Sequence, residues 1–422
     1  MKIGRIYNFF NYIIAAILIY NCQSIWASGL NNEVLNTVTY FILVASALIN
    51  IILLLTQSKN QVNLSSILID SLFIIVYLGL FIFFSTYPNT KLFALRLLIV
   101  VVLFFWLIKL ENKRIPSILI SYWNLMIIIG LISLLFWVLG SLFRLISPTG
   151  TVESFWGAFD GIPHLVNSYF NVYYETQSVN SIIGTFIRNT AIFTEGPMAA
   201  LNFSLALLIG INSSSKNLVL KNTILVFSLA STFTTTGYIF LTILILGHWI
   251  DRLKKKNSFN ISYLIFILPI LIVGSLLLIV LFNQKRIYGS GSVDVRFDDY
   301  RVGLKTWTQH IIFGTGISNS NALRNNMELW RMGNPGFSNS ITEVLANGGL
   351  YLGILYFGSF FKGLLTKDGL KKIFVVMTFY LFVTTAFTYN YILIFLLIWF
   401  SSFSTTRENN NEIFSIEAIN KE

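Results

Sequence analysis

Apolar runs of about twenty residues recur along almost the whole chain, and they constrain its fold more than any other feature. A helix needs about 20 such residues to cross a bilayer core of about 30 Å. Of the 422 residues, 55% are hydrophobic and 11% are charged, and the mean hydropathy is +0.71. Soluble domains carry about 25% charged residues, so a soluble enzyme is excluded, as is a disordered chain. The runs are continuous, which disfavours a transmembrane barrel.

The apolar runs predict an all-α polytopic membrane protein with about 12 transmembrane helices. The predicted helices cover residues 8–26, 34–55, 64–84, 91–108, 119–142, 189–211, 218–232, 236–250, 261–282, 341–361, 371–386 and 389–403. The seventh and eighth are short, and a polar stretch from Thr232 to Gly237 separates them. We interpret this break as a turn between two short helices. One kinked helix is the alternative, and it would invert the topology of everything that follows.

The distribution of basic residues supports twelve helices with both termini in the cytoplasm. Cytoplasmic loops of membrane proteins are enriched in Lys and Arg. In this topology 18 of the 29 basic residues fall in cytoplasmic segments, and the short external turns 27–33, 85–90, 233–235 and 387–388 contain none. The net charge of +11 therefore reflects topology, and no nucleic-acid partner is predicted.

Residues 1–403 are predicted to form a single transmembrane domain, followed by a cytoplasmic tail at 404–422. The start of the chain resembles a signal peptide, but its removal would leave an odd number of helices, so we interpret it as the first helix. The single cysteine, Cys22, excludes an intramolecular disulfide and a multi-cysteine metal cluster.

Two long external loops are predicted, at 143–188 and, between helices 9 and 10, at 283–340. Aromatic residues of the first loop are expected at the level of the lipid headgroups. These residues are Phe155, Trp156, Phe159, Tyr169, Tyr173 and Tyr174.

The second loop is rich in cations, although the topology leaves the external side nearly bare of them. They are Lys285, Arg286, Arg296, Arg301, Lys305, Arg324 and Arg331. Apolar residues recur at spacings of three and four from Phe297 to Ile311, which predicts an amphipathic helix on the bundle or in the membrane interface. Its basic face is interpreted as an anion clamp for phosphate or pyrophosphate, because the arginine fork fits such groups. A solvated face that contacts lipid headgroups is the alternative.

Two residues of opposite charge lie at the outer end of the sixth predicted helix. Arg188 and Glu195 are seven residues apart, about two helical turns, although Gly196-Pro197 is expected to interrupt a helix here. Ions embedded in a membrane are costly and usually face a cavity or the interior. Both residues are therefore functional candidates, with a structural ion pair as the alternative.

Four local patterns, in order along the chain, resemble the Wzy-type polysaccharide polymerases and the related O-antigen ligases. They are Arg188-x-x-Ala191-x-Phe193-x-Glu195-x-Pro197; Thr234-Thr235-Thr236-Gly237-Tyr238; Arg296-Phe297-Asp298-Asp299 with Trp307 and the turn Phe313-Gly314-x-Gly316; and Ser338-Asn339, nine residues, then Gly349-Leu350. The glycine turn also resembles a nucleotide fingerprint, but no strand precedes it and it is predicted to face outward.

The chain departs from the family patterns at three positions. Gly196 is an extra residue before the proline, and His310 lies near the position of another usual proline. Ser338 occupies the position usually held by histidine. If that histidine is a catalytic base in relatives, this chain uses another group or needs none.

The resemblance implies a glycosyltransferase in a bacterial cytoplasmic membrane, with its active site facing the exterior. It would transfer a growing glycan from undecaprenyl pyrophosphate to a lipid-linked oligosaccharide repeat unit. The expected partners are that glycolipid, the bilayer and possible chain-length regulator and flippase proteins. No metal and no cofactor are predicted, because arginines would stabilise the pyrophosphate that departs.

The resemblance also assigns candidate roles to residues. Arg188, Arg296 and Arg301 are predicted to bind pyrophosphate or glycan, with Arg324 or Arg331 as auxiliaries, and Asn339 is a further binding candidate. Glu343 is the first candidate for the general base and Glu195 the second, and His310 is also considered.

Three other functions remain as alternatives. A ligase of the same superfamily would transfer finished glycan to a different acceptor, which sequence alone does not distinguish. A glycolipid flippase or other transporter is disfavoured because transporters usually contain paired broken helices in repeated halves, and only one broken pair is seen, at 232–237. A non-catalytic scaffold is disfavoured by the buried charges of Arg188 and Glu195.

Overall fold

The computed structural model is mostly helical and describes residues 2–28, 32–57, 63–85, 87, 90–159, 162–181, 184–213, 217–255, 290–331 and 336–403. The helices of these residues are α1 (Lys2–Tyr20), α2 (Asn32–Gln57), α3 (Leu64–Phe84), α4 (Lys91–Glu111), α5 (Ser117–Phe136), α6 (Gly196–Asn212), α7 (Leu218–Ala230), α8 (Thr235–Lys255), α9 (Ser290–Gln309), α10 (Ser320–Arg324), α11 (Ser340–Leu364), α12 (Gly369–Thr384) and α13 (Tyr391–Ser401).

Six described segments are long and apolar enough to cross a membrane as helices: Ile3–Tyr20, Glu33–Gln57, Leu64–Phe84, Lys91–Glu111, Ser117–Leu142 and Ser340–Leu364. Four shorter apolar helices accompany them in the described residues: Gly196–Asn212, Leu218–Ala230, Thr235–Gly247 and Tyr391–Ser401. The predicted ninth helix, 261–282, lies outside the described residues, as do Lys285 and Arg286. The count of twelve and the position of the termini stay predictions.

The expectation of an all-α chain is wrong in the loop after α5. This loop contains a three-stranded antiparallel sheet, in which β2 pairs with both β1 and β3, and a separate hairpin of β4 and β5. The strands are β1 (Gly150–Phe159), β2 (Ile162–Tyr169), β3 (Tyr173–Glu175), β4 (Ser178–Ser181) and β5 (Gly184–Ile187). Strands β3, β4 and β5 have only three or four residues, and period-two signals of that length are easily missed beside long apolar runs.

The tyrosines of this sheet do not face lipid, in contrast to the headgroup position expected for them. Tyr169, Tyr173 and Tyr174 are all almost completely buried. The Tyr169 hydroxyl donates to Glu175 Oε1 at 2.9 Å, and Trp26 Nε1 donates to the Tyr174 hydroxyl at 2.8 Å. The sheet is therefore bound to the loop after α1. The side chains of residues 155–159 lie outside the description, so the expectation for the other three aromatic residues is untested.

Helix α6 lies at the centre of the bundle, in contact with α5, α7, α8 and α12. Nearly all of its side chains are buried, as expected for a helix that is apolar on every face. It begins at Gly196, not at residue 189 as predicted. Pro197 fits the first turn because the backbone N–H that proline lacks has no helical partner there.

The break between the seventh and eighth predicted helices is confirmed. Helix α7 ends at Ala230 and α8 begins at Thr235. Phe233 in the turn has a φ of +48°, and the Thr234 hydroxyl accepts a hydrogen bond from the backbone N–H of Gly237 at 3.2 Å. The hydroxyl thus satisfies one of the N–H groups that a helix start leaves without a partner.

The predicted amphipathic helix is present as α9. The face that packs on the bundle is the one opposite its apolar stripe. Phe297, Tyr300 and Leu304 are exposed, whereas Val302 and Thr306 are fully buried. The buried face contacts α11, where a Cβ placed on Gly303 would lie 2.5 Å from Cβ of Thr342. A small residue is required at this crossing, so the contact is made beside Gly303 and not through the apolar stripe.

Candidate active site

Helix α11 is broken near its middle, and the glycine turn of the preceding loop fills the break. Gly349 has a φ of +61°, and the helix hydrogen bonds are interrupted there. The N–H groups of Thr315 and Gly316 donate to the carbonyls of Ala346 and Asn347, each at 2.9 Å. In return the carbonyls of residues 311 and 312 accept from the N–H groups of residues 350 and 351, at 2.9 and 3.0 Å. Buried backbone groups need such partners, so the two segments form one unit.

Two glycines of the family patterns make this contact possible. Gly314 has a φ of +65°, and a Cβ there would lie 2.4 Å from the carbonyl carbon of Asn347. A Cβ on Gly349 would lie 2.3 Å from the carbonyl oxygen of Ile312. The positive φ and the close approach both exclude larger residues. The two family-like patterns, the glycine turn and Gly349-Leu350, are therefore in direct contact with each other in this chain.

The break leaves a short helix, 340–348, that carries Asn339 and Glu343 at its start. Asn339 is the N-cap residue, and its Oδ1 accepts from the N–H groups of Ile341 and Thr342 at 3.0 and 3.3 Å. Its Nδ2 is buried and has no hydrogen-bond partner among the described residues. Asn339 is thus a helix cap that retains a free donor.

The Glu343 side chain is half-buried and is held by the turn between α12 and α13. The Thr388 hydroxyl donates to Glu343 Oε2 at 2.6 Å. The Ser340 hydroxyl donates to the Thr385 carbonyl at 2.7 Å, which fixes the same turn against the start of α11. The carboxylate therefore has one defined partner and a fixed orientation.

Ser338, at the position of the usual histidine, binds Asp299 of α9. Burial raises the pKa of Asp299, although hydrogen bonds from Ser338 and the charge of Arg331 oppose that rise. The carboxylates of Asp299 and Glu343 act on each other electrostatically. Asp299 therefore lies beside the start of α11. The sequence indicated Asp299 only as part of the family-like pattern Arg296-Phe297-Asp298-Asp299, without a role of its own.

Arg331 is buried between the acidic residues of α9. Its Nη1 lies 3.1 Å from Asp298 Oδ2, and its Nη2 lies 2.9 Å from Asp299 Oδ1. It also donates to the carbonyls of Val295 and Gly336 at 3.1 and 2.6 Å. The side chain is 0% exposed. This position does not fit the auxiliary anion contact predicted for Arg331, because the guanidinium holds the loop together instead.

Arg301 is more accessible but is also paired. Its Nε and Nη2 donate to Asp298 Oδ1 at 2.9 and 2.7 Å, and its Nη1 lies 3.2 Å from Glu328 Oε1. Its side chain is 44% exposed. Arg324 lies at the exposed end of α10.

Arg188 and Glu195 lie at the two ends of a buried segment that is not helical. The segment is fixed by the loop after α1: the Ile25 N–H donates to the Ile192 carbonyl at 2.8 Å, and the Thr194 N–H donates to the Gln23 carbonyl at 3.0 Å. The Asn189 N–H donates to the Ser231 carbonyl at 3.0 Å. Arg188 is therefore held beside the turn between α7 and α8.

The Arg188 guanidinium is poorly solvated. Burial lowers its pKa, whereas the charge of Glu195 and the nearby Tyr238 hydroxyl raise it. Its Nε is buried and has no hydrogen-bond partner among the described residues. The side-chain stem lies against Gly196, 3.2 Å from a Cβ placed there. A cation with an unused donor is thus fixed next to the α7–α8 turn.

Arg296 approaches the same turn from α9. Its charge acts on the hydroxyl of Tyr380 in α12, and that hydroxyl donates to the Thr236 carbonyl at 3.2 Å. Residues 380–388 at the end of α12 thus contact both the α7–α8 turn, through Tyr380, and Glu343, through Thr388. Arg296 also lies one helical turn before Asp299. Contacts of Tyr380, Thr385 and Thr388 thus connect the end of α12 both with the α7–α8 turn, beside which Arg188 lies, and with the start of α11, which carries Asn339 and Glu343.

The comparison with protein families gives a match to a part of the chain. Residues 222–357 match the family model described as O-antigen ligase. The resemblance is confirmed over this segment, which runs from α7 through the broken part of α11. No curated protein and no solved structure matches the chain. Together with the apolar helices, the family match indicates an integral membrane enzyme that acts on glycans.

Proposed function

We propose that this protein is a polysaccharide polymerase at the outer face of the bacterial cytoplasmic membrane. It transfers a growing glycan from undecaprenyl pyrophosphate to a lipid-linked oligosaccharide repeat unit. The observation that supports the proposal is that the end of α12 contacts both the α7–α8 turn beside Arg188 and the carboxylate of Glu343, while Arg296 of α9 acts electrostatically on Tyr380 of α12. The lipid substrate and the bilayer are its partners, and a chain-length regulator and a flippase stay predictions.

Arg188 and Arg296 serve as the pyrophosphate clamp. When the bond between the anomeric carbon and the pyrophosphate oxygen breaks, that oxygen keeps the electron pair and negative charge develops on it. Fixed cations in a poorly hydrated site stabilise such charge without reorganisation. Arg188 suits this role because its Nε has no protein partner among the described residues. Arg301, which already has two acidic partners, and Arg324 stay predicted additional contacts for the pyrophosphate or the glycan.

Glu343 serves as the general base for the acceptor. The acceptor hydroxyl oxygen attacks the anomeric carbon, and its proton passes to the Glu343 carboxylate. The Thr388 hydroxyl at 2.6 Å supports the orientation that this needs. Glu195, by contrast, lies in the electrostatic range of Arg188 and is better suited to orient that cation. Asn339 Nδ2 is available to bind a glycan hydroxyl.

A ligase is the second candidate, because the matching family is described as O-antigen ligase. A ligase would use the same pyrophosphate clamp and the same general base. The glycan donor and the bond that breaks are the same in both reactions, and only the acceptor differs. The two functions are separated by the acceptor that the enzyme uses, either another lipid-linked repeat unit or a different glycolipid.

The test is a reconstituted transfer reaction. Purified protein in detergent is incubated with an undecaprenyl-pyrophosphate repeat unit, without added metal or nucleotide, and glycan lengths are resolved on a gel. We expect a ladder from the wild type and none from Glu343→Gln or Arg188→Ala. Lys305→Gln, an exposed cation on α9, is the control and should retain the ladder.

Three results would contradict parts of the proposal. A ladder from Glu343→Gln would assign the base to another group. Transfer only to a second glycolipid would identify a ligase. Translocation of the glycolipid in vesicles, with no new glycosidic bond, would identify a transporter.

A further inference from the structure

We propose that a polar pocket beside the glycine turn is a binding subsite for an uncharged sugar ring of the glycan. The inference rests on the proposed function in taking a glycan as the ligand. The pocket lies between the end of α9, the glycine turn and α10. It is lined by Tyr87, Gln309, His310, Thr315, Asn319, Asn321, Ala322, Asn325 and Asn326.

The lining favours a neutral polyol over an anion. Among the lining residues that the structure describes there is no Lys, Arg, Asp or Glu, and five of the nine are Asn or Gln. An amide side chain presents both donors and an acceptor, as does a sugar hydroxyl, so the groups match without a charge. A pyrophosphate would find no lysine or arginine among the described lining residues, and His310 is the one side chain there that could carry a positive charge. The polar pocket is therefore chemically distinct from the clamp of Arg188 and Arg296.

The size of the pocket fits the end of a glycan. Its volume is about 350 Å³. This value is near the lower end of the range for ligand pockets, about 300–1,000 Å³. A whole lipid-linked repeat unit does not fit such a space, whereas a single sugar ring with its substituents does. Tyr87 supplies an aromatic ring in the wall, a surface that suits the apolar face of a sugar.

The rear amides of the pocket are held in place. Asn319 Nδ2 donates to the Thr315 carbonyl at 3.0 Å, and its Oδ1 accepts from the Ala322 N–H at 3.3 Å. Asn326 Nδ2 donates to the Thr306 hydroxyl at 3.0 Å. By contrast, the exposed side chains of Asn321 and Asn325 make no hydrogen bond within the described part of the chain. The pocket thus combines a fixed rear wall with free amides at its entrance.

The pocket is connected to the proposed base. Both the N–H and the hydroxyl of Thr315 donate to the Ala346 carbonyl, at 2.9 and 3.2 Å. Ala346 lies one helical turn after Glu343 on the short helix 340–348. A sugar bound against Thr315 would therefore contact a residue that is hydrogen-bonded to the helix carrying the base. A glycan substrate needs such a contact close to the base.

The test measures sugar binding directly, without the lipid or the transfer reaction. Free glucose, galactose, rhamnose and N-acetylglucosamine are each mixed with the full-length protein in nanodiscs, and saturation-transfer difference NMR is recorded. We expect saturation transfer to at least one sugar. The double variant Asn321→Leu/Asn325→Leu should weaken that binding about tenfold or more, because two hydrogen-bonding side chains are lost. Ser320→Ala, on the same helix but outside the lining, should bind as the wild type does.

The outcomes separate this inference from the proposed function. Absence of binding to all four sugars, or equal binding in the double variant, would overturn the subsite. Glu343→Gln should bind the sugar normally while transferring no glycan. If Glu343→Gln binds sugar and also retains transfer, the proposed base is wrong and the subsite stands.

Discussion

Ser338 donates two hydrogen bonds to one oxygen of Asp299: its backbone N–H at 2.9 Å and its hydroxyl at 2.5 Å both reach Oδ2. The other oxygen of Asp299 lies 2.9 Å from Arg331. The residue at the usual histidine position therefore joins α9 to the start of α11. This contact fixes the helix that carries Arg296 against the helix that carries Glu343.

The first prediction concerns the pH dependence of this contact. Because burial raises the pKa of Asp299, the protonated form is favoured in the folded protein. Its contribution to stability is full below the pKa of an unfolded Asp, about 3.9, and is lost as the pH rises through the folded-state pKa. Asp299→Asn cannot titrate. Thermal unfolding in detergent should therefore show a wild-type advantage over Asp299→Asn that shrinks as the pH rises above about 4.

The control for this experiment is Asp294→Asn, an exposed acidic residue on the same helix. It should leave the pH dependence of the melting temperature unchanged. A wild-type advantage that grows with pH would contradict the prediction, because it would mean that the charged form of Asp299 is the stabilising one.

The second prediction concerns the break in α11. Gly349 has a φ of +61° and a ψ of −163°, a backbone region that is essentially restricted to glycine. Gly349→Ala should destabilise the protein by more than about 1–3 kcal/mol, the cost of another residue in such a region, because the methyl would also meet the Ile312 carbonyl. Gly358→Ala on the same helix is the matched control, since a Cβ there has nothing within 4 Å. Alanine also favours a helix, so Gly358→Ala should be neutral or stabilising. Equal melting temperatures for the two variants would show that the turn does not require Gly349.

Most helix positions follow from the sequence because a membrane forces its spanning segments to satisfy their own backbone hydrogen bonds. A continuous apolar run of the length of Leu64–Phe84 has no other stable conformation in lipid. The start of α6 was placed too early because the apolar residues Ala191, Ile192 and Phe193 extend the apolar run in the sequence, whereas the backbone of this segment finds partners in other segments. Periodicity does not reveal such partners.

The candidate site was only partly predictable for a related reason. Sequence patterns indicated Arg188, Arg296 and Glu343, because charged residues are unusual next to apolar helices and on the external side of the predicted topology. They did not indicate Thr388 or Tyr380, which are ordinary residues of an apolar helix end. The sequence left open whether the apolar stripe of α9 faces the bundle or the membrane interface, because the buried face depends on the charge network of Asp298, Asp299 and Arg331 and on the close contact at Gly303.

The third prediction concerns the support of the proposed base. Thr388→Val keeps the side-chain shape but removes the hydroxyl that donates to Glu343 Oε2. A hydrogen bond to a charged group contributes about 1.5–3 kcal/mol, so the transfer rate should fall about tenfold or more. Thr388→Ser retains the hydroxyl and should recover most of the rate. The single-turnover transfer rate at saturating substrate is the measurement. If valine and serine variants are equally active, the contact does not support the base.

The final prediction concerns the exposed apolar stripe of α9. Phe297 is 72% exposed, and Leu304 is 44% exposed, whereas the opposite face packs on α11. A stripe of this kind beside apolar helices is stabilised by contact with the lipid interface. Because Cys22 is fully buried, a spin label can be attached selectively at Phe297→Cys, with Lys305→Cys on the polar side as the control. In bilayers the label at 297 should collide more often with oxygen, and the label at 305 more often with a water-soluble nickel reagent. Equal access of the nickel reagent to both labels would mean that α9 lies in water and that its apolar stripe contacts something other than lipid.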